Sequence, residues 1–201
     1  GHAPSAPWHG VFQALGAQIQ RHQLPLPLLH NLLSAFEQDV RYNANARWYT
    51  NNEDLLHYCQ HSANPIGRLL LHLYEVHTPE ALQQSDAICT ALQLINFWQD
   101  LSQDIPRGRY YLPLNSLLAF GVEQAQITAL QDNPLTTKLI AAHADFAAAC
   151  MQKGLALPNT VQARMKGFNG WRAALELRCV IQGGLRVLER IKAGGNQQLQ
   201  R

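Results

Sequence analysis

The chain reads as all-α. Apolar residues recur at helical spacing almost throughout, no stretch alternates with period two, and proline, glycine and asparagine fall where helices should start and stop. Pro27 opens a first stripe of Leu28, Leu29, Leu32, Leu33, Phe36 and Val40 on one helical face. Asn51 or Asn52 suits the cap of a second helix carrying Leu55, Leu56 and Cys59. Pro65 and Gly67 interrupt it, and Leu69, Leu70, Leu73 and Tyr74 resume the pattern. Pro79 sits near the start of a long helix running to about Asp104, which Pro106 and Gly108 end. A loop with Arg107, Arg109, Tyr110, Tyr111 and Pro113 follows. Shorter signals predict helices around Asn115 to Phe120, from about Pro134 to Ala156, and from about Gly170 to Lys192. Gly194-Gly195 and the glutamines beyond read as a frayed tail, and Gly1-His2 as a cloning remnant. No repeat, linker or shift in composition divides residues 1–201, so one domain is expected.

Composition narrows the function. The 201 residues are 47% hydrophobic and only 15% charged, against about 25% charged in a typical globular domain, which predicts a wide core rather than disorder. A net charge of +2 gives no reason to expect nucleic-acid binding. No apolar run approaches the roughly 18 residues of a membrane span, and no leader peptide is visible. Cys59, Cys89, Cys150 and Cys179 form no CxxC pair and fit a chain kept reduced in the cytoplasm.

The segment from Gln93 to Asp104 carries the chemistry. On a helix, Asn96, Asp100 and Asp104 follow at i, i+4 and i+8, about 6 Å apart along one face, with Gln93 a turn earlier. Two carboxylates so placed repel each other, the more so as they are buried. A hard divalent cation reverses that sign. Mg²⁺ takes oxygen donors and commonly shares its shell between one or two carboxylates and substrate phosphates. With seven aspartates in the chain, a bare DxxxD pair is a weak signal, and most such pairs are solvated helix faces. Here the face is otherwise poor in charge and lies in a helix with Ile88, Leu92, Ile95 and Trp98. Arg107 and Arg109 follow directly. They can complement a helix C-terminus or hold a phosphate. His57 and His61 sit at i, i+4, but Tyr58 stands where a zinc protease has its glutamate, so ordinary surface or core histidines are expected. Tyr42, Trp48, Tyr49, Tyr58 and Phe97 can line a cavity or simply form core.

These residues carry a resemblance. The stretch QLINFWQDLSQDIPRGRYYLP, Gln93 to Pro113, resembles the second aspartate-rich motif and trailing arginine loop of the squalene/phytoene synthase family. YCQHSANPIG, Tyr58 to Gly67, is similar to the family's tyrosine-bearing helix and its kink. The SANPIGRLLLHLY and LELRCVIQGGLRVLE stretches resemble the bacterial hopanoid-pathway branch, the squalene or hydroxysqualene synthases. The resemblance covers the chain from about Trp8 onward.

It implies an isoprenoid-synthase helical bundle in which two acidic helices face each other across Mg²⁺ and diphosphate. Asn96, Asp100 and Asp104 then match metal-binding positions, Asp100 and Asp104 being catalytic through the metal. Gln93 matches a site-lining glutamine, and Tyr58 a catalytic tyrosine facing the reacting end of the substrate. Ser62, Ile66 and Gly67 match the prenyl cavity, and Arg107 and Arg109 the diphosphate loop. Gln99 stands where many members carry a phosphate-binding arginine, and Asp39 matches a different family position. The first aspartate-rich motif is absent between Gly1 and Ala46, so the expectation is a bundle truncated at its N-terminus, whose bared apolar surface favours pairing with a second copy.

The implied chemistry is Mg²⁺-dependent conversion of presqualene diphosphate to hydroxysqualene. Head-to-head condensation of two farnesyl or geranylgeranyl diphosphates is the alternative, and a non-catalytic helical scaffold the reading from another class. No Gly-rich fingerprint for NADPH is present. A long-chain amphiphilic substrate also implies peripheral contact with a membrane, although no segment reads as an anchor.

Overall fold

A computed structural model describes residues 8–194 and 199. Eleven α-helices and a short 3-10 turn make up the described chain, which contains no strand. The first two helices are α1 (His9–His22) and α2 (Leu26–Ala44). α1 is not among the helices expected from the sequence, although Trp8, Val11, Phe12 and Leu15 recur at helical spacing; that stripe is exposed rather than packed on the core. His72 Nε2 donates to the His22 carbonyl at 2.9 Å and ties its end to the helix bearing His72. In α2 the expected apolar stripe splits. Ala35 is the buried residue, with Leu28, Leu29 and Leu32 half-buried, whereas Leu33, Phe36 and Val40 point outward.

α3 (Asn52–Ser62) is capped by Asn51, whose side chain accepts the Asp54 N–H at 2.8 Å. The break before α4 (Asn64–Leu73) falls at Ala63, two residues before Pro65, the residue ahead of whose ring cannot continue a regular helix easily. α5 (Pro79–Gln99) starts from Thr78, whose hydroxyl accepts the Ala81 N–H. It is buried on most of its circumference, from Ala81 to Trp98. α5 does not continue unbroken to Asp104 as the sequence suggested. It kinks at Asp100 (φ −101°, ψ 16°) into α6 (Leu101–Asp104) and the 3-10 turn Ile105–Arg107.

The remainder comprises α7 (Leu114–Phe120), α8 (Gln124–Thr128), α9 (Pro134–Gly154), α10 (Leu157–Met165) and α11 (Gly167–Ala193). α8 and α10, of five and nine residues, are additional to the helices expected from the sequence. α9 is held at its start by Asn133, which accepts the N–H groups of Leu135 and Thr136 at 2.8 and 3.0 Å. The Gly1-His2 reading and most of the tail lie outside the described residues. Leu199, however, is buried and its N–H donates to Asp132 at 3.0 Å, so the chain is not frayed there.

α5 is the hub against which α3, α4, α9, α10 and α11 pack. Close crossing is possible because glycines meet it. A Cβ on Gly154 would sit 2.6 Å from the Gln84 carbonyl oxygen and collide with Ile88. We expect Gly154→Ala to destabilise the protein by about 1–3 kcal/mol despite its better helix propensity, because backbone must give way. Urea denaturation checks this, and unchanged stability would mean that α9 shifts freely.

His143 of α9 is buried against the Trp98 ring at 4.7 Å. Burial lowers its pKa to about 4. Between pH 6.5 and that value the unfolded chain binds a proton that the folded protein does not, so stability present above pH 6.5 is lost as pH falls towards 4. The loss is about 3 kcal/mol. His143→Gln should flatten the dependence of stability on pH over this window, and an unaltered slope would assign it to other groups.

Candidate active site

The kink at Asp100 leaves the backbone spacing of the acidic ladder intact. The Asp100 N–H still reaches the Asn96 carbonyl at 3.0 Å, and the Asp104 N–H the Asp100 carbonyl at 2.8 Å. Gly108 then reverses the chain with φ 78°, a conformation open to glycine. The Arg109 N–H returns to the Asp104 carbonyl at 3.0 Å. Beyond it the loop is pinned by rings. Tyr110 stacks on Trp48 at 4.3 Å, and Tyr111 on Phe97 at 3.8 Å. Leu114 and Asn115 donate their N–H groups to the Tyr49 and Thr50 carbonyls.

Between α2, α3, the end of α5 and this loop lies a cleft of about 290 Å³. It brings together Tyr58, Gln93, Asn96, Asp100, Asp104, Arg107 and Arg109, seven of the residues singled out in the sequence. It also contains Phe36, Asp39, Phe97, Gln103 and Tyr111. Exposure grades along the ladder: Asn96 is exposed, Asp100 half-buried and Asp104 buried. Burial raises the pKa of Asp104, and the Asp100 charge adds to this while Arg109 opposes it. The carboxylate at the foot of the cleft is therefore poorly solvated when charged. The hydroxyl of Tyr58 is pushed up to about 12 by burial and by the Asp39 charge, so the phenol is neutral at physiological pH. Arg109 loses some proton affinity to burial, but Asp39, Tyr111 and Asp104 more than restore it.

The other expected residues lie elsewhere. Ile66 and Gly67 line a separate apolar groove of about 250 Å³ with Leu70, Cys89, Leu92, Leu177 and Val180. Ser62 is half-buried one turn after Tyr58 and its hydroxyl faces that phenol. Gln99 does not enter the cleft. It is exposed and borders a hollow with Trp98, Val187 and Arg190, because its position on α5 is turned away from Asn96 and Asp100. The His57 and His61 rings lie 4.5 Å apart, tilted at 42°, and the His61 ring meets the His57 carbonyl, as ordinary helix-surface histidines do. Among the described residues no three His, Cys, Asp or Glu side chains converge on one point. The ladder offers two carboxylates and an amide oxygen, and Asp39 and the amides of Gln93 and Gln103 add further oxygens to the cleft.

Asp39 is the residue whose place in the cleft the sequence left open. Its Oδ1 accepts the Tyr111 hydroxyl at 3.0 Å across 72 positions of chain. Nothing at local spacing connects the two.

The model of the squalene/phytoene synthase family matches residues 2–201. The chain belongs to that family. A hydroxysqualene synthase from Zymomonas mobilis is 31% identical over 158 residues, covering 72% of this chain and 52% of that protein. A phytoene synthase from Thermus thermophilus is 27% identical over 201 residues, covering 98% of this chain and 63% of that protein. The chain thus spans about half to two thirds of the length of these relatives. Among solved structures, the squalene synthase HpnC from Alicyclobacillus acidocaldarius superposes with a TM-score of 0.81 at 33% identity, over 92% of this chain and 65% of that one. YisP from Bacillus subtilis shares the fold, with a TM-score of 0.74 at 20% identity. Among the described residues of this family member, no helix is long and apolar enough to cross a membrane.

Because Gln99 faces away from the cleft, Gln99→Ala should leave binding of inorganic diphosphate with Mg²⁺ unchanged within about twofold. A loss of tenfold or more in calorimetry would place that side chain on the ligand.

Proposed function

We propose that the cleft binds the diphosphate of a polyprenyl diphosphate with Mg²⁺, and that the whole protein converts presqualene diphosphate to hydroxysqualene. The observation that carries this reading is the opposition of an oxygen-only ladder, Asn96, Asp100 and Asp104, and two arginines across one small cleft. The donors suit Mg²⁺, which prefers oxygen ligands and completes its shell with water and phosphate oxygens. Asp104, buried and beside the Asp100 charge, gains from a cation that replaces lost solvation. When bound, Mg²⁺ would neutralise the charge that develops on departing diphosphate.

The rest follows from the chain's own residues. Arg107 and Arg109 face the ladder and can each grip phosphate oxygens through a planar fork. Ser85, Cys89, Gln93, Asn96 and Asp100 follow at steps of three or four along α5, so the apolar groove and the polar cleft lie on one stripe of that helix. A ligand with a polar head and a long apolar tail matches that order. The Tyr58 ring and the stacked Phe97 and Tyr111 rings supply aromatic faces beside the point of ionisation, worth about 0.5–2 kcal/mol each to a carbocation. Tyr58, holding its proton, can orient a water by hydrogen bonding without becoming a phenolate. Water capture at the cation, with its proton lost to the departed diphosphate, gives an alcohol. The match to phytoene synthases favours a second reading, in which another prenyl chain reaches the cation and a condensed hydrocarbon forms.

Calorimetry with inorganic diphosphate and Mg²⁺ tests the binding step. We expect binding that requires Mg²⁺ and falls at least about tenfold in Asp100→Asn and in Asp104→Asn. Retained binding in both would remove the ladder from the site. In the whole protein the same substitutions should lower turnover of presqualene diphosphate at least about 10²-fold. Efficient consumption of farnesyl diphosphate alone would replace the first reading by the second.

A further inference from the structure

Arg109 lies between two carboxylates and is committed to neither. Its Nη2 is 3.8 Å from Asp39 Oδ2 and its Nη1 is 3.5 Å from Asp104 Oδ1. Both exceed the 2.7–2.9 Å of a charge-assisted hydrogen bond. A committed pair in the same protein looks different: Arg68 meets Asp86 through two nitrogens at 2.9 and 2.6 Å. Asp39 is itself held firmly. Its Oδ1 accepts the Tyr111 hydroxyl and its Oδ2 the Asn43 amide at 3.3 Å. Tyr111 is clamped against Phe97, and the Arg109 N–H is bonded to the Asp104 carbonyl, so the Arg109 backbone is fixed and its guanidinium is the part free to move.

An arginine resting against a metal ligand competes with the metal. If Mg²⁺ takes Asp104, Arg109 loses one of its two counter-charges. Asp39, already within ion-pair distance, then keeps the guanidinium over the cleft and facing the phosphates. We propose that Asp39 is a positioning residue that receives Arg109 from Asp104 when Mg²⁺ binds the ladder. This rests on the magnesium and diphosphate reading above. It assigns Asp39 an action on the metal through Arg109, not by contact with the metal.

A double-mutant cycle on Mg²⁺ affinity, read by calorimetry without substrate, tests the exchange. Asp39→Asn retains the acceptor for Tyr111 and removes the charge. It should weaken Mg²⁺ binding about fivefold, because Arg109 then remains on Asp104. Arg109→Gln should strengthen binding, and Asp39→Asn added to Arg109→Gln should cost less than about twofold further. If Asp39→Asn costs the same with and without Arg109, Asp39 acts on the metal directly and the proposal fails while the metal site stands. If the unsubstituted protein binds Mg²⁺ neither alone nor with inorganic diphosphate, the metal reading and the exchange fail together; if it binds Mg²⁺ only with diphosphate, the exchange fails and the metal reading stands. Asp39→Glu, which keeps the charge, should restore affinity to within about threefold of the unsubstituted protein, and failure to do so would assign the Asn effect to lost packing.

Discussion

α5 can be buried on most of its surface only because its neighbours lack side chains where they cross it. Gly154 of α9 meets the Gln84 carbonyl and Ile88, and Gly67 of α4 meets Ser85 and Cys89 at distances that no Cβ tolerates. These crossings bring α4 and α9 close enough to exclude water from Ile88, Ala91, Leu94 and Ile95. The polar residues in the body of the helix are met by partners, Asp86 by Arg68 and Thr90 by Asn64, and at its C-terminal end polar residues reach an open cleft. In this protein that end is Asn96 to Asp104, and the kink at Asp100 lets the last turn lean into the cleft while preserving the four-residue spacing of its oxygens.

The arginine loop is positioned by aromatic contact as much as by charge. Trp48 on Tyr110 and Phe97 on Tyr111 hold the strand-like segment after Gly108 against the start of α3. Rings stacked at about 4 Å are stiff, and they carry little charge of their own. The loop can therefore present two guanidinium groups to two carboxylates without collapsing into tight ion pairs. Asp104 retains a raised proton affinity in spite of its arginine neighbour, and a site in that condition gains from a further cation.

Apolar surface is distributed unevenly. Leu33, Phe36 and Val40 of α2 are exposed beside the cleft, and Phe36 belongs to both surfaces. α1 is exposed along its length. The groove at Ile66 and Gly67 is apolar on the α4–α11 side. The polar cleft and the apolar groove thus share α5 as a common wall, the first completed by α2, α3 and the arginine loop and the second by α4 and α11.

Much of this was legible in the sequence because it is local. Capping asparagines, prolines and three- or four-residue spacing identify helices and set Asn96, Asp100 and Asp104 on one face, since each signal depends on neighbours within a turn or two. The motif from Gln93 to Pro113 is likewise contiguous, and it identified the family. Tertiary structure alone decided which side chains share the cleft. It placed Asp39 opposite the ladder, turned Gln99 away, and exposed half of a stripe in α2 that spacing alone would have buried. Those outcomes depend on the crossing of helices far apart in the chain, and hydrophobic periodicity states that a face is apolar without stating what covers it.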